Sequence, residues 1–152
     1  MSVILALDLG TQTGWAMIGH DDLVDSGTVS FAPRTGEGPG MRFARFRRWL
    51  IDLKSAHGQI DAVYYEDVRR HIGTQAAHVY GGLLAVLMMW GEHHQIPYRG
   101  VGVGVIKKHA TGNGAAKKPA MIAAMRERGY SVMDDNSADA LALLDYVISK
   151  QP

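Results

Sequence analysis

The sequence predicts an α/β fold: a mixed five-stranded sheet, three strands antiparallel and then two parallel, flanked by helices on both faces. Three observations carry this. Three strand-like runs separated by turns fill the chain up to Phe31. Each later strand-like run follows a stretch of helical period, as in a sheet entered by crossover. The resulting order, βββ-α-β-α-β-α-α, describes a mixed sheet covered by helices.

Val3 to Leu9 is an apolar run broken by Asp8 and reads as a central strand buried on both faces. Gly10 to Gly14 is a tight turn, Trp15 to Ile18 a second strand, and Val24 to Phe31 a third with alternating character. Ala32 to Gly40 holds two prolines and three glycines and is a loop. A helix from Met41 to Ala56 presents Phe43, Phe46, Leu50 and Leu53 on one face and Arg45, Arg48 and Asp52 on the other. Ile60 to Glu66 is a strand ending in an acid. Thr74 to His94 is a helix apolar nearly all round, which suits burial between the sheet and a partner subunit. Pro97 to Val103 is a short strand and Lys107 to Ala116 a loop bearing Gly and Lys. Pro119 opens a helix that runs to Arg128. A last helix spans Ser137 to Ser149, with Ser137 or Asn136 as its N-cap.

Residues 1–152 read as a single domain, long enough to bury a core. With no cysteine there is no disulfide, thiolate nucleophile or cysteine-bound zinc, and a reducing cytoplasm is the expected compartment. The N-terminus has no basic region and its apolar run is too short for a signal peptide or membrane span. Net charge is only +1, yet its distribution is uneven. Five arginines and one glutamate lie between Arg34 and Arg48, and five cations and no acid between Arg99 and Lys118. Basic segments around isolated acids suit a polyanion held beside an acidic pocket, although a solvated surface has the same composition.

Three regions supply the acids. A carboxylate inside an apolar strand, as Asp8 is, must be paired, neutralised or bound to a cation, unless it bonds the amides of the following turn. Glu66 ends a strand at a place where α/β sheets build sites, but it could equally face solvent beside Asp67. Asp134, Asp135 and Asp139 crowd the start of the last helix, where an acid is favoured by the helix dipole alone. Asp135 and Asn136 stand four and three residues before Asp139, so either can share its helical face. Taken together, Asp8, Glu66 and an Asp at the start of the last helix can converge at one sheet edge. Three or four oxygens about one point suit Mg²⁺. Two such ions about 3.5–4 Å apart activate water and stabilise a leaving oxygen in phosphodiester hydrolysis.

The stretches "ALDLGTQTGWA", "VYYEDV", "VIKKHATGNGAAKKPAM" and "SADALALL" resemble, in order and spacing, four motifs of the RuvC-type Holliday junction resolvases. The short chain and the "DDNSADALALL" variant are most similar to the phage-borne branch, which implies a host bacterial cytoplasm. The resemblance implies an RNase H-like fold and a homodimer, here through helix 74–94. It also implies nicking of four-way and other branched DNA, dependent on Mg²⁺ or Mn²⁺, two ions per site, with no nucleotide cofactor. It casts Asp8, Glu66 and Asp139 as metal ligands, with Asp135 as the fourth and Asn136 as a neutral alternative, and Lys118 as the catalytic lysine. Lys107 or Lys108 matches the other functional lysine. DNA contacts would come from Lys107, Lys108, Lys117, Lys118, Arg69, Arg70, Arg45 and Arg48, with Arg42 and Arg47 on the same basic helix. Where bacterial members carry an aromatic three residues after the glutamate, this chain has Arg69, which implies looser junction selectivity. A non-catalytic DNA-binding module is the first alternative. The second is an actin- or sugar-kinase-like ATP-binding fragment, since "DLGTQTG" resembles that phosphate turn, but 152 residues leave no room for the second lobe. A histidine zinc site is not supported, because His93 and His94 are adjacent and face different sides of a helix.

Overall fold

The computed structural model describes residues 2–152. Five strands form one sheet in the order β3-β2-β1-β4-β5. β1 (Ile4–Asp8) pairs antiparallel with β2 (Gln12–Ile18), and β2 with β3 (Val24–Ser30). β4 (Ala62–Asp67) lies parallel to β1, and β5 (Tyr98–Gly102) parallel to β4. This is the mixed sheet that the element order predicts.

β1 is central because both its faces are apolar. Ile4 and Ala6 enter one core and Leu5 and Leu7 the other, all almost wholly buried. The first core is roofed by α3 (Val103–Thr111), α4 (Lys118–Glu127) and α5 (Asp135–Lys150). The second is roofed by α1 (Met41–His57) and α2 (Gly73–His94). Phe46 and Leu50 of the predicted apolar face of α1 are fully buried, and Phe43 lies where a β-carbon on Gly82 would stand only 2.3 Å from its ring. That glycine lets α1 and α2 pack at close range.

The structure differs from the sequence reading in three places. β2 begins at Gln12, so the turn is shorter than Gly10–Gly14. The buried hydroxyl of Thr13 closes it by donating to the Gly10 carbonyl at 2.7 Å. Second, the first half of the predicted Lys107–Ala116 loop is the end of α3. This nine-residue helix buries only Ile106 and Ala110, too little to give a period, and it stops at Gly112 with φ 83°. Third, α5 starts two residues before Ser137, and its N-cap is Asp134. The Asp134 carboxylate accepts from the Ser137 amide at 2.8 Å, and the Ser137 hydroxyl sits 3.4 Å from the Asp134 amide, a reciprocal cap.

α2 is buried along Val79, Leu83, Leu87 and Trp90, yet Met89 is 73% exposed and Gly81 and Ala85 beside it are also exposed. One apolar strip of this helix is thus left uncovered.

Gly14 belongs to a strand, not a turn, and its requirement is proximity. A β-carbon there would stand 2.0 Å from the Asn136 carbonyl oxygen. The first turn of α5 rests directly on β2, one register step from Asp8, which pairs with Gly14. Gly14→Ala must push the helix off the sheet. Overpacking of this kind costs about 3 kcal/mol, and against rigid backbone the upper end is expected. Urea denaturation should show that loss, whereas Gly38→Ala, with open space around it, should leave the midpoint nearly unchanged.

Candidate active site

β1 and β4 run in the same direction in register Leu7↔Tyr65, and one residue further along stand Asp8 and Glu66. Side chains alternate along a strand, so both carboxylates lie on the α5 side, with Ile4, Ala6 and Tyr64. α5 brings Asp139 down from above. One carboxylate oxygen of each of Asp8, Glu66 and Asp139 lies within 4.8 Å of the others, the only such grouping of potential metal ligands among the described residues.

Several contacts position these groups. The Tyr80 hydroxyl of α2 donates to the Glu66 carbonyl at 2.8 Å and accepts from the Val68 amide at 3.1 Å, which fixes the end of β4. The Thr28 hydroxyl on β3 lies 2.8 Å from both oxygens of Asp134 and ties the α5 cap to the sheet. On the far side of α5, Asp145 accepts from the Tyr130 hydroxyl at 2.7 Å. It lies 2.7 Å from His109 of α3 and pairs with Arg128, so it clamps α3 to α5. The sequence reading missed all of these. The capping preference of Asp at the start of "DDNS" was the one available signal; the tyrosine and threonine contacts span distant elements and leave no local pattern.

The electrostatics follow from crowding. Burial, then the charges of Glu66 and Asp139, the hydrogen bond shared with Glu66 and the charge of Asp135, raise the Asp8 carboxyl well above the usual range. Burial also raises Glu66, opposed by its bond to Asp8 and by the Lys107 charge. Burial, then Glu66 and Asp135, push Asp139 up to about 7, against the pull of Lys107 and Lys118. At Asp134, by contrast, burial is outweighed by the Ser137 amide and the Thr28 hydroxyl, and the carboxyl is held low.

The acidic segment therefore divides its labour. Asp134 is the cap. Asp135 makes a 2.9 Å ion pair with Lys118, and its charge is felt by Asp8 and Asp139, but it lies outside the tight three-carboxylate group. Asn136 sets its backbone carbonyl over Gly14. Asp139, in the second turn, is the member that joins the cluster.

Of the basic residues, Lys107 and Lys118 act on the carboxylates, whereas Lys108 and Lys117 are exposed beside them. Arg69 and Arg70 are exposed on the loop after β4, Arg69 paired with Asp67 at 3.1 Å. The same loop ends on Ile72, which is 99% exposed and which the sequence reading passed over. Arg48 is exposed and pairs with Asp52 at 3.2 Å. Arg45, by contrast with Arg48, is tied into the protein. It is 16% exposed, and its guanidinium pairs with Glu37 at 3.0 Å and donates to the Ala32 carbonyl at 2.6 Å. It braces the loop before α1, and its Nε is enclosed without a hydrogen-bond partner.

Three crowded carboxylates and no sulfur or imidazole ligand make a donor set for a hard divalent cation. The residues fit such an ion, and without one the cluster holds protons that carboxyls in water would release.

The topology and the acidic edge define an RNase H-like α/β domain. Within that class the chain has the fold of the RuvC-type Holliday junction resolvases. It superposes on "T. thermophilus RuvC in complex with Holliday junction substrate" with a TM-score of 0.76 and 19% identity, covering 93% of this chain and 90% of that one. Thermus thermophilus RuvC in a second structure gives 0.72 and 19%, over 92% and 89%. The yeast mitochondrial Holliday junction resolvase gives 0.61 and 14%, over 93% and 75%. No protein-family model and no curated protein sequence matches the chain. No helix among the described residues is long and apolar enough to cross a membrane.

The raised carboxyls give a signed pH dependence for the cation-free protein. Asp139 binds a proton in the folded state up to about pH 7, but in the unfolded state only to 3.8. The native state then holds more protons across that window, so stability falls as pH rises through it. Thermal melts in EDTA should show a melting temperature declining from pH 4 towards 7, and Asp139→Asn should flatten the decline.

Proposed function

We propose that this chain is a divalent-metal-dependent endonuclease that resolves four-way DNA junctions and cuts other branched DNA as a homodimer. The observation that carries this reading is the convergence of Asp8, Glu66 and Asp139 at the sheet edge, flanked by Lys107 and Lys118, on the RuvC fold. Asp8, Glu66 and Asp139 would hold Mg²⁺ or Mn²⁺, two ions per site, with Asp135 completing the set by leaving Lys118. When bound, such ions lower the pKa of a coordinated water and stabilise the leaving oxygen of a phosphodiester. The residues of this chain supply the rest. Lys118 is exposed and pairs with Asp135, so it can turn from that carboxylate to a phosphate oxygen and offset charge that builds there. Lys107 approaches from α3, and its charge favours the ionised forms of Glu66 and Asp139 against the burial that raises both. Lys108 and Lys117, with Arg69, Arg70 and Arg48, offer exposed charge to the backbone of the arms. Arg69 and Ile72 are what the loop after β4 can present to unpaired bases, by stacking or by wedging.

Two nicks in opposed strands need two sites, and a symmetric pair of chains supplies them. The uncovered strip Gly81, Ala85 and Met89 of α2 is the surface proposed for that pairing. Met89→Glu should convert a dimer to a monomer in analytical ultracentrifugation, with the melt of the monomer otherwise intact; a variant that stays dimeric would move the interface elsewhere.

The deciding experiment compares nicking of four-way, three-way, flap and linear DNA in Mg²⁺ and in EDTA. Wild type is expected to cut branched substrates only with the cation, and Asp8→Asn to lose activity by at least about 100-fold while still binding DNA, since the carboxylate acts in the transition state. Activity retained in Asp8→Asn sinks the metal assignment. Asp135→Asn and Asn136→Ala, assayed side by side, should separate the fourth ligand, with the larger loss expected at Asp135.

A further inference from the structure

A cavity with a cationic lining lies on the opposite face of the same edge. α1 and α2 both begin there: α1 follows the loop that leaves β3 at Ser30, opposite Gln12, and α2 follows the end of β4. Between their first turns is a cavity of about 370 Å³ whose lining includes Pro39, Arg42, Phe43, Gln75 and His78. Arg42 is 8% exposed and makes no hydrogen bond or ion pair with any described residue. The side chain is otherwise enclosed, but none of its guanidinium nitrogens is sealed from solvent, so its charge opens into the cavity and suits an anion there. Glu37 also borders the cavity but cannot serve, because its carboxylate is bonded to Arg45 and accepts from the Arg34 amide at 2.8 Å. Neither α1 nor α2 has an acid in its first turn or a side-chain cap, so both positive helix ends are uncompensated at the rim.

We infer that this cavity is a phosphate seat, holding one backbone phosphodiester of a DNA arm that crosses the edge from the carboxylate cluster to the α1–α2 face. The proposal rests on the DNA-binding part of the function argued above. Arg42 supplies a planar fork that matches phosphate oxygens, and the two helix ends supply positive potential around it. The cavity is open to solvent, so a chain passing over it can lower one phosphate group into it, which fits a polymer crossing the edge.

The test measures binding of a four-way junction in EDTA, by fluorescence anisotropy against salt. Arg42→Gln should weaken binding about tenfold and reduce the slope of log K against log salt by about 0.9, the release lost with one phosphate contact. Arg42→Lys should recover the slope but not the full affinity. Because Arg42 is buried, His78→Glu serves as a second variant. It adds a charge at the exposed rim without disturbing the core, and it should weaken binding as well. Wild-type affinity and slope in both Arg42→Gln and His78→Glu overturn the proposal. If millimolar inorganic phosphate raises the melting temperature of wild type but not of Arg42→Gln, while junction binding is unchanged, the occupant is free phosphate and the DNA assignment fails. The nuclease reading fails separately: a wild type that binds junctions with an Arg42-dependent slope but cuts nothing in Mg²⁺ loses its catalytic role and keeps its phosphate seat.

Discussion

The structure is organised around a repulsion. Three carboxylates within 4.8 Å at a partly buried edge are unfavourable in any fold that lacks a cation for them. Ionised and unpaired, each would carry a desolvation cost of several kcal/mol. What holds them is a set of rigid elements that cannot relax apart. β1 and β4 are locked by their parallel ladder. α5 rests with its first turn on Gly14, where the absence of a side chain lets backbone meet backbone. The Asp134 cap, itself bonded to Thr28, and the Asp145 clamp to α3 fix the helix at both ends of its buried face. The strain of the cluster is carried by the core, and a divalent cation would relieve it. Such pre-organised crowding sets the site geometry before any ligand arrives.

How much of this the sequence revealed depended on whether a residue's role was local. Asp8 stood out because a carboxylate in an apolar strand is costly anywhere, and Glu66 because it ends a strand. The mixed sheet followed from the order of strand-like and helical runs along the chain. The acidic segment was harder, because capping and cation binding draw on the same residue types at the same helix end. Coordinates separate them by direction. Asp134 turns back to the Ser137 amide, Asp135 points out to Lys118, and Asp139, a turn further on, points in. No spacing rule distinguishes these, since the helix start had to be placed within two residues first.

The misplaced roles have similar causes. α3 looked like a loop because a nine-residue helix with two buried side chains has no amphipathic signal, and Gly112 and Gly114 follow it directly. Gly14 looked like a turn glycine because its reason for being glycine lies 122 positions away at Asn136. Arg45 looked like a free surface cation because α1 was read as an isolated amphipathic helix. The loop before it folds back and uses Glu37 and the Ala32 carbonyl to engage that guanidinium. Each depends on a contact between elements that are distant in sequence or are joined by an irregular loop.

That loop also explains why the two arginines, three residues apart at the start of α1, differ so sharply. Both are largely buried, but Glu37 can neutralise only one. It faces Arg45, where the ion pair and the carbonyl bond together anchor the loop, and this leaves Arg42 with its charge uncompensated in a cavity lined by the same loop. Had Glu37 reached Arg42 instead, the cavity would be neutral and the loop unanchored. The edge of the sheet thus carries opposite charge on its two faces: crowded carboxylates under α5, and an unpaired guanidinium between α1 and α2. A polyanion alone suits only the second face, and a cation alone only the first. A phosphate backbone that brings or recruits divalent cations would satisfy both at once, which is the physical reason for proposing the two sites as parts of one nucleic-acid surface.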